Sequence, residues 1–435
     1  MVEPVNPLSE HVLVKDSLDL SSSLAKTNQL EGLSIDSSLM PKLANDGFVA
    51  YDHVTFYVSN AKLSSRFFIN SLGFYPIAYK GLETGSKNIC HHVVSNGSVT
   101  FQFVSTLRSF SDNKNEDLMI KEIQNHVAKH GDGVKDVAFQ VENVSHVFEL
   151  AVANGARPIL KPTALEEEGS TLVIAKVGAL GDVVHTLINR SQYKGVFMPG
   201  YISYEDAFGH DYMQTVTELN EKVLPKVSFA CIDHCVQNQD WNEMFQSCEF
   251  YAKAFGFHQF WSVDENVICT QYSALRSTVM ASSNELVKMP INEPAKGLKK
   301  SQIEEFLDFY EGPGVQHIAL LTPNIVSTVK NMKFRGVEFI NVPPKYYSRL
   351  RQRLLETKRN YEIKESLDEL EKAGILVDFD ENGYLLQLFS KPMQDRPTLF
   401  LEVIQRENHN GFGAGNFKAL FETLELEQQR RGNLV

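Results

Sequence analysis

The feature that most constrains this chain is that one set of anchors occurs in it twice. The first copy reads Tyr51-Asp52-His53-Val54, Val134-Lys135-Asp136-Val137 and Leu187-Ile188-Asn189-Arg190. The second reads Ile232-Asp233-His234-Cys235, Val315-Gln316-His317-Ile318 and Val403-Ile404-Gln405-Arg406. Asp136 follows His53 by 83 residues, and His317 follows His234 by the same 83. Equal spacing over that length points to two copies of one structural plan. Matching the Ile-x-Arg stretches sets Thr186 opposite Glu402, so the halves read His/Asp/Thr and His/His/Glu. Two imidazoles and one carboxylate are the ligand set of a non-haem Fe(II) facial triad.

A chain of 435 residues exceeds one ordinary core, so two or more domains are expected. A composition 43% apolar can fill such cores. The formal charge of −12 disfavours nucleic acid or an anionic membrane as partner, since both attract basic surfaces. No apolar run approaches a membrane span, and Met1-Val2-Glu3-Pro4-Val5-Asn6 lacks the flank of a secretory signal. Five cysteines, an odd and sparse set, suggest reduced thiols and an intracellular, cytoplasmic setting. Cys231 and Cys235 flank His234 as a zinc pair might, but on a strand the two thiols share the face opposite the imidazole.

Periodicity gives the organisation. Residues 1 to 45 have no sustained period and read as a loose N-terminal arm. From Asp52 a strand leads to a helix over Ala61 to Leu72, stopped by Gly73, and then to strands near residues 75–79, 92–94 and 99–104. The unit restarts at Val134, with a helix from Val144 to Asn154 and strands at 171–175 and 183–188. The second half repeats the order: strand 233–236, helix Trp241 to Ala254 ending at Gly256, strands at 277–281 and 316–321, and a helix from Ile325 to Arg335. An insertion at about 346–373, rich in Arg and acids, reads as a charged helical hairpin. Each half is therefore an α+β unit of two βαβββ modules that pair into a half-open cup. The expected divisions are an arm at 1–45, a first cup at 46–195 and a second at 196–435, joined through the interrupted stretch 193–208.

On the strand 398–406, alternation puts Phe400, Glu402 and Ile404 on one face. A carboxylate between Leu401 and Val403 is costly to bury unless it is paired or binds a metal. Each of His234, His317 and Glu402 alone is more often a structural residue; together, at equivalent points of a repeat, they form a candidate metal site. The first half, with His53, Asp136 and Thr186, reads as a scaffold without catalytic metal. Gly411 to Phe417 looks like a nucleotide-binding glycine loop but lacks the strand-to-helix crossover that phosphate cradling needs. It serves better as a gate turning into a terminal helix from Asn416 to about Arg430.

Long motifs in the second half carry a resemblance. They are Pro290-Ile291-Asn292-Glu293-Pro294, Ser301-Gln302-Ile303, Gly312-Pro313-Gly314-Val315-Gln316-His317, Leu386 to Pro392, Asp395 to Arg406, and Gly411 to Phe417. With these the chain, from about Asp46 to Glu425, resembles the 4-hydroxyphenylpyruvate dioxygenase family of the vicinal-oxygen-chelate fold. The resemblance implies tandem half-open barrels with the C-terminal helix over the site, and one Fe(II) on His234, His317 and Glu402. It implies catalytic roles for Gln387, Asn292, Gln302, Ser277 and Gln316, and a pocket of Val236, Pro290, Phe389, Phe400, Phe412, Asn416, Phe417 and Leu420. Phe389 and Phe417 would sandwich the substrate ring, while Asn292, Gln302 and Ser277 would orient its phenol. The implied reaction turns 4-hydroxyphenylpyruvate and O2 into homogentisate and CO2, and the implied assembly is a homodimer built through the first half. Hydroxymandelate synthase, acting on the same substrate, and a non-catalytic binder of the same fold are the alternatives.

Overall fold

The β-branched and aromatic run around the first anchor forms the central strand β1, Phe48–Tyr57, and the first half is built on both of its edges. The computed structural model describes residues 46–263, 272–357 and 361–434, with the side chains among them except at positions 414 and 417–420. The expected N-terminal arm lies outside these residues, as does Cys269.

Helix α1, Ala61–Leu72, begins where Asn60 Oδ1 accepts from the Leu63 amide and ends where Gly73 turns to φ 68°. Strands β2 (Tyr75–Lys80), β3 (Ile89–Asn96) and β4 (Val99–Thr106) complete the first module. Helix α2 (Lys114–His130) leads to the second: β5 (Gly133–Val141), α3 (Val144–Ala153), β6 (Arg157–Glu167), β7 (Ser170–Gly178) and β8 (Val184–Gln192). Strand β9 (Ile202–Ser203) and helices α4 (Tyr204–Phe208) and α5 (His210–Glu218) follow. The second half contains β10 (Cys231–Asn238), α6 (Met244–Phe255), β11 (His258–Val263), β12 (Ala274–Ala281), β13 (Lys288–Ala295), α7 (Gln302–Tyr310), β14 (Gly314–Leu321) and α8 (Ile325–Phe334). It ends with α9 (Pro344–Glu356), α10 (Leu367–Ala373), β15 (Leu376–Phe379), β16 (Tyr384–Phe389), β17 (Phe400–Glu407) and α11 (Phe417–Arg431).

The first sheet is ordered β2-β3-β4-β1-β5-β8-β7-β6, with β9 beyond β2; the second is ordered β11-β12-β13-β10-β14-β17-β16-β15. Position for position these are one topology, and both sheets curl into half-barrels. Register confirms the equivalence at single-residue level. Thr55 faces Asp136, which faces Val184; Val236 faces His317, which faces Phe400. Two residues along the strands, His53 therefore matches His234 and Thr186 matches Glu402, the alignment drawn from sequence alone.

Local chemistry accounts for the differences from expectation. Helix α6 starts at Met244 rather than Trp241 because Asn242 adopts a left-handed φ of 63°. Helices α2 and α7, which join the modules within each half, were not foreseen; α7 opens on a reciprocal Ser301–Glu304 capping box. The stretch after residue 195 stays with the first sheet: β9 pairs with β2, and the Phe229 amide donates to Asn96 Oδ1 just before β10. The interruption at 195–200 is thus a turn beside the first cup. The insertion is the hairpin α9–α10, where Arg351 bridges Asp368 and Glu371 at 2.7 and 2.8 Å. Between the halves, Phe48 packs edge-on against Phe139, Phe255 and Phe257 at 5.5, 5.6 and 4.8 Å, giving one shared aromatic core. His185, beside Thr186, points into that joint and bonds Tyr251 Oη at 2.9 Å. No helix among the described residues is long and apolar enough to cross a membrane.

Candidate metal centre and cavity

Three adjacent central strands each give one ligand: β10 carries His234, β14 His317 and β17 Glu402. The register puts His234, Ala319 and Glu402 in one row, with Val236, His317 and Phe400 in the next row of the same face. Side chains two apart on a strand share a face, so all three groups project into the second cup. Glu402 Oε2 lies 3.2 Å from His234 Nε2 and 3.4 Å from His317 Nε2. Two donors bound cis on an octahedral ion at ordinary ligand distances sit ~3 Å apart, so the spacing fits. Among the described residues this is the one group of three His, Cys, Asp or Glu side chains whose ligand atoms come within 4.8 Å of one another.

The supporting bonds set the tautomers. His234 Nδ1 lies 2.7 Å from Asp233 Oδ1, and Asp233 is gripped by Arg406 Nε and Nη2, both at 2.8 Å. His317 Nδ1 lies 3.0 Å from Gln316 Oε1, and Gln316 donates from Nε2 to Gln302 Oε1 at 2.6 Å. With each Nδ1 bonded to an oxygen, each Nε2 keeps a lone pair for a cation. Burial pushes the Asp233 carboxyl up, but the Arg406 guanidinium and His234 together outweigh it and hold the group well below the usual carboxylate range. Burial likewise works against ionised Glu402, and His234 and His317 together outweigh it and lower the carboxyl. Burial would lower the His234 ring, but Glu402 and Asp233 together raise it, while burial keeps His317 low. Glu402 is thus an anion whose partners are two rings with metal-binding nitrogens; residues, tautomers and spacing all fit a divalent ion.

Above the triad lies a cavity. Its walls include Val236, Ser277, Pro290, Asn292, Gln302, Gln316, Phe389, Phe400 and Phe412, all singled out in the sequence. Ser277 and Asn292 are cross-strand partners, as are Phe389 and Glu402. Phe400 stacks on His317 at 4.7 Å, and the Phe389 ring stands edge-on to it at 5.9 Å. Asn292 Nδ2 donates to Asn238 Oδ1 at 3.3 Å. Two expected residues lie off this wall. Gln387 sits beneath the glycine loop, so close that a Cβ on Gly413 would fall 2.2 Å from its Oε1. Asn416 turns its Oδ1 to the Tyr346 hydroxyl at 2.7 Å. The side chains of Phe417 and Leu420 fall outside those described.

The sequence reading missed Trp261, Leu275, Val279, Phe421 and Leu424, which also line the cavity. Leu275 and Val279 were findable, since they alternate with Ser277 on β12. Phe421 and Leu424 were findable as well, at helical spacing from Phe417. Trp261 carried no signal, because β11 has too little alternation to read as a strand. Asp233 and Arg406 stood among the repeated anchors, but strand parity alone assigns Asp233 to the far face; only the structure shows its carboxylate reaching Nδ1.

Comparison with known proteins adds an independent line. Residues 232–388 match the family model of the Glyoxalase/Bleomycin resistance protein/Dioxygenase superfamily. The chain is 51% identical over 389 residues to a 4-hydroxyphenylpyruvate dioxygenase of Yarrowia lipolytica, covering 89% of this chain and 94% of that one. It is 48% identical over 395 residues to the enzyme of the same name from Xenopus tropicalis, covering 91% and 95%. Among solved structures, a triple mutant of 4-hydroxymandelate synthase from Streptomyces coelicolor superposes with a TM-score of 0.73 at 28% identity, over 88% of this chain and 99% of that one.

Proposed function

The chain belongs to the family of 4-hydroxyphenylpyruvate dioxygenases, and from that premise we propose that its second cup converts 4-hydroxyphenylpyruvate and O2 into homogentisate and CO2 with Fe(II) held by His234, His317 and Glu402. The observation that carries this reading is the buried His/His/Glu triad at the floor of an aromatic cavity with amide groups on its walls. When bound, Fe(II) would supply the redox chemistry that couples a 2-oxo acid to dioxygen.

The chain's own residues place, orient and exclude. Asp233 and Gln316 fix the ring tautomers so that both Nε2 atoms face Glu402. Phe389, Phe400, Phe412, Trp261 and Leu424 surround the space above the triad with apolar surface, which keeps water from the reacting groups and suits an aromatic ring. Ser277, Asn292 and Gln302 supply hydroxyl and amide groups on the walls for the phenol of the substrate. Gln316 and Gln302 are bonded to each other, so one amide pair both orients His317 and borders the substrate space.

The test is anaerobic reconstitution of the purified protein with Fe(II), followed by substrate and oxygen, with product identified by chromatography and mass. Homogentisate with one CO2 released per O2 consumed is the expected result. Formation of 4-hydroxymandelate, or no oxygen uptake at full iron loading, overturns the reading.

A further inference from the structure

The Asp-His pair and the arginine of the repeat form the same assembly in both halves, and each assembly holds a phenylalanine. In the first half, His53 Nδ1 meets Asp52 Oδ1 at 2.6 Å, and Arg190 grips Asp52 through Nε and Nη2 at 2.7 and 2.9 Å. The remaining arm, Arg190 Nη1, donates to the Phe197 carbonyl; the guanidinium lies 5.1 Å from the Phe197 ring, which meets the His53 ring edge-on at 5.0 Å. In the second half the remaining arm, Arg406 Nη1, donates to the carbonyls of His409 and Gly411 at 3.1 and 2.6 Å. The Arg406 guanidinium lies 5.3 Å from the Phe412 ring, which meets the His234 ring edge-on at 5.1 Å. One arginine thus touches the carboxylate that aims a histidine, the turn that follows the last strand, and the phenylalanine at the end of that turn.

The halves differ in what the phenylalanine covers. Phe197 is buried and packs with Tyr201 in the first cup. Phe412 is half-buried in the wall of the open cavity, 5.6 Å from Trp261. Resting on the metal-site reading above, we propose that Arg406 is a positioning residue that ties the aim of His234 to the seating of Phe412, so that metal uptake and closure of this wall are one linked event. An ion that fixes His234 fixes Asp233 and Arg406, and through them the 409–412 turn; by linkage, a seated Phe412 favours the metal-ready ring. In Arg190 the molecule carries its own control, with the same geometry and no triad.

The chain has two tryptophans, so a Trp241→Phe background leaves Trp261 as the reporter next to Phe412. Zn(II), which does not itself quench indole, is titrated into metal-free protein, with affinity read by competition with a chelating dye and wall closure by Trp261 emission. In the parent, binding and the emission change should run together. Arg406→Lys keeps the charge but loses the fork; affinity should fall about 10-fold or more, and the emission change should vanish even at saturation. Arg190→Lys should match the parent in both readouts. Phe412→Leu, which leaves the Asp233–Arg406 pair intact, should bind Zn(II) within about 3-fold of the parent and lose the emission change; this variant decides the matter if Arg406→Lys does not fold. Parent-like affinity and emission response in Arg406→Lys, or an unchanged response in Phe412→Leu, overturns the coupling alone. A parent that takes up neither Zn(II) nor Fe(II) overturns the metal-site reading and the coupling with it.

Discussion

The two cups share strand order, register and the Asp-His-Arg assembly, yet only one presents a triad. In the first, Asp136 accepts from the Thr186 amide at 2.9 Å, from the Thr186 hydroxyl, and from Lys176 Nζ at 3.2 Å. Burial would raise that carboxyl, but Lys176, His53 and the two Thr186 hydrogen bonds together outweigh it and keep Asp136 ionised. Lys176 faces Thr186 across the strands as Phe389 faces Glu402. A half-buried lysine ammonium thus meets the first cup's carboxylate where the second has a neutral ring. The space is taken as well: Tyr201 meets His91 Nδ1 at 3.0 Å, and Gln102 joins them to Thr55. Topology makes both cups; a carboxylate left without a lysine partner, and a cup left unfilled, make one of them a site.

The sharpest way to break this contrast is at the matched pair Thr186 and Glu402. Glu402→Ala removes one of three ligands, and iron content and turnover should both fall by at least about 10³-fold. Thr186→Ala should leave kcat/KM and iron stoichiometry unchanged and lower the thermal midpoint through loss of its bond to Asp136. Turnover that survives Glu402→Ala, or iron lost on Thr186→Ala, would assign the metal to the wrong cup.

The next effect is acid stability. The first half buries four imidazoles that burial holds neutral: His91 and His126 at about 3, His92 and His185 at about 4. Each takes up its proton at about 6.5 once the chain unfolds. The unfolded state therefore binds more protons below about pH 6.5, and stability is lost as pH falls from there toward 4, at roughly 1.4 kcal/mol per pH unit for each ring. Hydrogen exchange should show β1 to β4 opening before β10 and β14 across this window. Burial is the main cause that holds the His126 ring neutral, so His126→Leu should flatten the dependence. A thermal midpoint that stays level from pH 6.5 to 4.5 would refute the claim.

Much of this was legible beforehand, and the contrast explains why. Strand and helix positions come from local periodicity, and the pairing of Thr186 with Glu402 from a spacing preserved in both halves. The triad stood out because imidazole and carboxylate inside apolar strands need partners. Less legible was whatever depends on reach across strands. Lys176 quenching Asp136 and Asp233 aiming His234 are contacts between side chains whose sequence positions give no sign of them. Phe197 filling the first cup comes from a stretch that reads as a linker, because turns that pack inward and turns that face solvent use the same residues.

The smallest effect tests the opposite side of the comparison, where the halves should behave alike. Gly73 and Gly256 close α1 and α6 at equivalent corners, with φ of 68° and 71°. A side chain in that conformation is strained, so Gly73→Ala and Gly256→Ala should each destabilise by about 1 kcal/mol. At Gly73 the new Cβ would also fall 3.0 Å from Val227 Cβ, which deepens the loss there. Neither corner touches the triad or the cavity wall, so kcat/KM per folded molecule should stay constant while the denaturant midpoint shifts. If Gly256→Ala lowers kcat/KM and Gly73→Ala does not, the corner of the second half serves its site as well as its fold, and the equivalence of the repeats fails at that corner.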